Sequence, residues 1–172
     1  MIDYDALRTD SAALIGSPVT AAGLFVIDIG FIAPTAGGVA GAVAGSTAAS
    51  VLIDNPLADG LAAGIGFDVA RHAAYQGAAD AAGVTPVMVL AVTAHEIVLM
   101  DWDGNVRAGS GPTRVFARFS RADATVTSSK TGTTHHVEIG QDGVTAKIQV
   151  TLGLLSPGKD ATRQVLTELG AD

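Results

Sequence analysis

Few side chains in this chain are suited to chemistry. It has four histidines, seventeen carboxylate side chains, ten Lys or Arg, and no cysteine. The missing cysteine excludes disulfides, thiolate zinc sites, iron–sulfur clusters and thiol nucleophiles. His135 and His136 are adjacent in a strand-like stretch. Neighbours on a strand point to opposite faces, so these two do not share a metal ion. His72 and His95 have no histidine or carboxylate at ligand spacing. Asp28 stands out because it sits between Ile27 and Ile29, with Phe31 close by. A carboxylate in such a run must be neutral, paired, or turned to water. Two readings remain open: a water-facing cap, or a pair with Arg71 or Arg8. Arg107, Arg114, Arg118, Arg121 and Lys130 form the one basic cluster, diluted by Asp103 and Asp123. Arg114 and Arg118 share strand parity, which predicts a basic face for an anionic partner. The plain alternative is a solvated sheet surface.

Catalytic motifs are incomplete. Val26-Ile27-Asp28-Ile29-Gly30 is similar to the strand–Asp–x–Gly phosphate motif of actin-like ATPases. That fold needs two large lobes, and 172 residues do not supply them. The Gly-rich stretch has no Gly-x-x-x-x-Gly-Lys-Ser/Thr and no complete Gly-x-Gly-x-x-Gly. Gly109-Ser110-Gly111 is an incomplete nucleophile elbow. The expectation is a protein that is not an enzyme, with no cofactor and no metal. The net charge of −7 repels phosphate backbones and argues against nucleic-acid binding.

The elements that must position these groups fall into two textures. Charged residues make up 16% of the chain, against about a quarter in ordinary domains. Mean hydropathy is +0.40, and that apolar excess needs a bilayer, a subunit interface or a deeply buried set of helices. Residues 3–15 read as a short amphipathic helix ended by Gly16-Ser17-Pro18. Val19 to Ala33 is apolar apart from Asp28 and reads as a helical piece broken by Pro34. Residues 36–53 carry no charge and place Gly37, Gly41 and Gly45 four apart. In a helix those glycines stack on one face and admit a second backbone, a face for helix packing or oligomerisation. Residues 1–83 are therefore read as a Gly/Ala-rich helical segment. From residue 84 the pattern becomes β. Compact apolar runs at 87–92 and 96–102 precede alternating stretches at 115–120, 124–127, 135–139 and 144–152, with turns at Lys130-Thr131-Gly132 and Gln141-Asp142-Gly143. Asp160–Leu169 reads as a closing helix.

The fold class expected is α+β: N-terminal helices, then over residues 84–172 an antiparallel sandwich or small barrel with a C-terminal helix. The stretch Val89-Leu90-Ala91-Val92-Thr93-Ala94-His95-Glu96-Ile97-Val98-Leu99-Met100 resembles the opening hairpin of the pleckstrin-homology-like superfold in its bacterial and GRAM-like versions. The likeness covers about residues 84–170. The layout is also similar to actinobacterial proteins that place a Gly-rich segment before such a domain. The resemblance implies a binding or scaffolding module near membranes. Lys and Arg are absent from Thr93-Ala94-His95-Glu96, so phosphoinositide recognition is not carried over.

Three functions follow as expectations. The first is a membrane-associated or self-assembling accessory protein whose β domain binds a protein or lipid partner, or a second copy. The second is a soluble monomeric module for a small ligand or protein, with the N-terminal helices packed on the sheet. The third is an enzyme with an unfamiliar site at Asp28, His72 or His95. The acidic start lacks the basic n-region of a signal peptide, which predicts a cytoplasmic protein, peripheral to the inner face of the membrane where it meets lipid.

Overall fold

The computed structural model describes residues 3–34, 77, 79, 80, 83–102, 111–152 and 158–171. Gly37, Gly41, Gly45, Arg71, His72 and Arg107 lie outside the described residues. The chain opens with α1 (Tyr4–Ile15). Asp3 caps it, its carboxylate accepting from the backbone N–H of Asp5 and Ala6, both at 3.0 Å. This satisfies donors that have no partner in the first turn. Gly16, at φ +80°, ends the helix. Leu7, Ser11 and Ile15, spaced four apart, are the buried face.

Among the described residues seven strands follow: β1 (Val19–Pro34), β2 (Val87–Thr93), β3 (Glu96–Trp102), β4 (Pro112–Ser120), β5 (Thr125–Thr131), β6 (Thr134–Gln141) and β7 (Val144–Thr151). A C-terminal helix, α2 (Lys159–Leu169), comes last. The helical reading of residues 19–33 is thus corrected: this segment is a strand. Its composition explains why. Val19, Thr20, Phe25, Val26, Ile27, Ile29, Phe31 and Ile32 are β-branched or aromatic, and such side chains fit a pleated surface better than a helix. β1 is the middle strand of the sheet, so the sheet draws on both sides of the boundary read between residues 83 and 84.

All pairings are antiparallel, in the order β4-β3-β2-β1-β7-β6-β5. The edge strands β4 and β5 are consecutive in the chain, joined only by residues 121–124. In a flat sheet six strand spacings would separate them by about 29 Å. That connection reaches at most about 18 Å. The sheet must therefore curl. Across the gap, the Ser120 N–H donates to Gln141 Oε1 at 2.6 Å. No ladder joins β4 to β5 among the described residues, so the architecture is one open, curled seven-stranded antiparallel sheet where a sandwich or small barrel is expected.

The curl makes two cores. Phe25, Ile27, Leu90, Leu99, Phe119, Val137, Ile139 and Ile148 fill the concave side with Val165 and Leu166 of α2. Gly23 allows α2 to approach β1: a Cβ there would lie 3.2 Å from the Thr162 Cα. On the convex side α1 covers half of the sheet, and Leu7 and Ile15 pack with Ala22, Val89, Ala91, Val98, Met100 and Trp102. β2 and β3 are buried on both faces, as their continuous apolar runs predict.

The start of α1 meets the residue that caps α2. Gly158, the residue before α2, has φ +71°, and a Cβ there would overlap the Tyr4 ring. Gly158→Ala should cost about 2–4 kcal/mol, combining left-handed strain with overpacking. Gly132, at φ +61° in open space, supplies the control, and Gly132→Ala should cost about 1 kcal/mol. Urea melts giving equal costs would refute the Tyr4 contact.

Burial also raises the Tyr4 phenol above its ordinary value of 10.0. The neutral phenol suits the fold and the phenolate does not. Its contribution is therefore complete below pH 10 and is lost as pH rises through the higher folded-state value. Tyr4→Phe should flatten the fall in stability above pH 10, measured by urea melts across the alkaline range. An unchanged slope would place that loss elsewhere.

Candidate functional site

The half of the convex face that α1 leaves uncovered is polar. Cross-strand register sets Ser129 opposite His136 and His136 opposite Gln149. In the next row Thr127 faces Glu138, and Glu138 faces Lys147. Alternation along each strand puts these side chains on one face. Asp28 joins them from β1. Its Oδ2 is 2.8 Å from His136 Nδ1, with the two side chains 23% and 33% exposed. Glu138 and Lys147 pair at 3.3 Å. The result is a shallow groove of about 140 Å³ running from β1 towards the β5 edge, lined by Asp28, Thr127, Ser129, His136, Glu138 and Lys147.

An ionised carboxylate only accepts hydrogen bonds, so the Asp28 contact puts the proton on His136 Nδ1. In the neutral ring Nε2 then keeps its lone pair. The groove offers hydroxyls, a carboxylate pair, an ammonium and an oriented imidazole. Such a surface can hydrogen-bond a polar, mixed-charge segment lying across the strands.

β1 sets this geometry. It pairs with β2 through Val26 and with β7 from Val26 onward, with a register irregularity between Ile27 and Ile32. Asp28 stands at that irregularity, past the end of the β2 ladder. Asp28 pairs with His136, 108 residues away, and Arg71, the other partner read from the sequence, lies outside the described residues. Arg8 instead pairs with Asp5. His136 is half-buried and His135 buried, on opposite faces as parity predicts. His95 is exposed in the β2–β3 turn.

The described members of the basic cluster, Arg114, Arg118, Arg121 and Lys130, are not brought together. The register of β4 slips between Leu99 and Met100, which face Ala117 and Val115. This bulge reverses the parity between Arg114 and Arg118, so the expectation of a shared face fails. Arg114 donates from Nε to Asp101 Oδ2 at 2.8 Å and from Nη2 to the Gly83 carbonyl at 2.6 Å. Arg118 pairs with Glu96 at 2.8 Å and reaches the Ile15 carbonyl at the end of α1 at 3.3 Å. Arg121 binds the Thr93 carbonyl at 3.0 Å and the Glu168 carbonyl and carboxylate at 2.8 and 3.3 Å. Lys130 is exposed on β5, opposite His135.

Sequence reasoning missed Thr127, Ser129, Glu138 and Lys147 as a group. Their signal was the polar parity of β5, β6 and β7. That signal lacks an anchor when Asp28 is read as part of a helix.

No protein family, curated protein or solved structure matches the chain. Among the described residues no group of three or more His, Asp or Glu is placed to hold a metal. No described helix is long and apolar enough to cross a membrane.

Asp28→Asn should lower stability by about 1 kcal/mol, a charge-assisted hydrogen bond discounted for its exposure. It should also relax the ring proton's preference for Nδ1, read from the ¹⁵N shifts of His136. Wild-type shifts placing the neutral-ring proton on Nε2 would disprove the contact.

Proposed function

We propose that this chain is a non-enzymatic accessory module whose sheet binds a protein partner by accepting an extended segment at the β5 edge. The observation that carries this reading is the contrast between the two edges. β4 is blunted: it has two register irregularities, begins at Pro112, carries Arg114 and Arg118, and packs against α1. Such devices protect an edge from pairing. Among the described residues β5 has none of them. Its seven residues pair with β6 without a slip, all but Val126 are exposed, and Lys130 is the one charge. A regular, accessible edge suits strand addition, and a polar groove beside it suits selection among sequences.

The meander of seven strands with one closing helix supports the pleckstrin-homology-like reading, with Val19–Pro34 as its first strand. Charge favours protein over anionic lipid as the partner. Arg114, Arg118 and Arg121 are each matched by a carboxylate, from Asp101, Glu96 and Glu168 respectively. The charge of these three arginines is thereby offset, which weakens the pull of an anionic membrane surface on them.

The test is selection of a displayed random-peptide library on the immobilised full chain, followed by hydrogen exchange. Enriched peptides should slow exchange at residues 125–131. Failure to enrich any peptide, or protection confined to other strands, would sink the proposal.

A further inference from the structure

We infer that β5 pairs with the β5 of a second copy of this chain, giving a two-fold dimer with a continuous fourteen-stranded sheet. This rests on the reading of β5 as the partner-binding edge and names the partner. An antiparallel pair of identical strands is self-complementary, as an isologous interface requires. The frame that uses all seven residues puts the two Ser128 residues at the axis. Thr125 then faces Thr131, Thr127 faces Ser129, and Val126 faces Lys130.

The side chains agree with that frame. Hydroxyl pairs face each other on the convex side, a favourable cross-strand combination. Lys130 never meets its own copy, so no like charges are opposed. On the concave side Val126, half-buried in the single chain, is covered by the partner's Lys130 stem while the ammonium stays in water. The protected β4 edge stops growth at two copies, so the contact closes instead of extending into a fibre. A contact built on one strand pair falls below the size of a standard interface, so the dimer is reversible and concentration-dependent.

Sedimentation of the full chain from low to high micromolar concentration provides the test. The wild type should move from monomer to dimer, with slowed hydrogen exchange confined to residues 125–131. Ser128 is exposed, so Ser128→Asp and Ser128→Lys should fold with unchanged thermal melts. Each alone opposes like charges at the axis and should weaken the dimer roughly tenfold or more. An equimolar mixture of the two should restore it, an outcome that a merely unstable variant cannot produce. A wild type that stays monomeric throughout overturns the inference, as does a dimer indifferent to both variants or one protected outside β5. If library peptides still protect β5 in a monomeric wild type, self-pairing falls and the strand-addition reading survives.

Discussion

The connection between β4 and β5 constrains everything else in this fold. Four residues have to join the two edges of a seven-stranded sheet, and only a strong curl brings those edges close enough. The curl gives the sheet a concave side, where apolar groups from strands on opposite halves share one core. It also obliges β1 to serve both halves, with β2 on one side and β7 on the other. Arg121 lies in the short connection itself. By binding the Thr93 and Glu168 carbonyls, it fixes the connection to the end of β2 and the end of α2.

This division of β1 explains how a carboxylate fits into an apolar strand. Where β1 pairs with β2, its convex face lies under α1 and carries Ala22 and Leu24. Past Val26 that cover ends. A side chain at position 28 then meets half-exposed polar neighbours, and an ionised carboxylate with an imidazole partner costs little there. The other charged pairs act as positioning devices more than as sources of stability, because exposed pairs contribute about 1 kcal/mol or less. Asp101 is the exception. Its side chain is 8% exposed, and it accepts from Arg114 Nε and the Thr85 N–H. Removing Arg114 would strand a buried charge. Trp102 Nε1 is buried and has no hydrogen-bond partner among the described residues, an orphaned donor that costs about 1–3 kcal/mol.

Much of this fold was legible where local chemistry and tertiary structure agree. Asp3 and Gly16 mark the ends of α1. The runs at β2 and β3, the turns at Gly132 and Asp142-Gly143, and the alternation of Val144, Ala146 and Ile148 mark the strands. β1 failed this test because most of its residues are apolar whichever face they take, which hides the period of two. At sixteen residues it is also longer than an ordinary strand. The arginines failed for a different reason. Parity is a local rule, and one extra residue at a bulge resets it without a sequence signature. The Asp28–His136 pair was out of reach because its partners meet only through the β1–β7–β6 register.

The composition of β5 makes sense as a compromise between two demands on an edge strand. An apolar edge would associate strongly but indiscriminately, and a heavily charged one would not pair at all. Hydroxyl side chains avoid both outcomes. They leave the backbone donors and acceptors in control of pairing, and each net hydrogen bond is worth about 1 kcal/mol. Seven residues of such pairing bind weakly enough to reverse. On the proposed strand-addition reading, specificity would come from neighbouring side chains, those of the groove. His136 and Glu138 lie one strand in from the edge, and Lys147 and Asp28 lie further back. A partner strand that extends the sheet therefore meets hydroxyls first and charges only with its longer side chains. If β5 accepts a strand as proposed, an edge built this way would discriminate by reach and charge while leaving the apolar cores undisturbed.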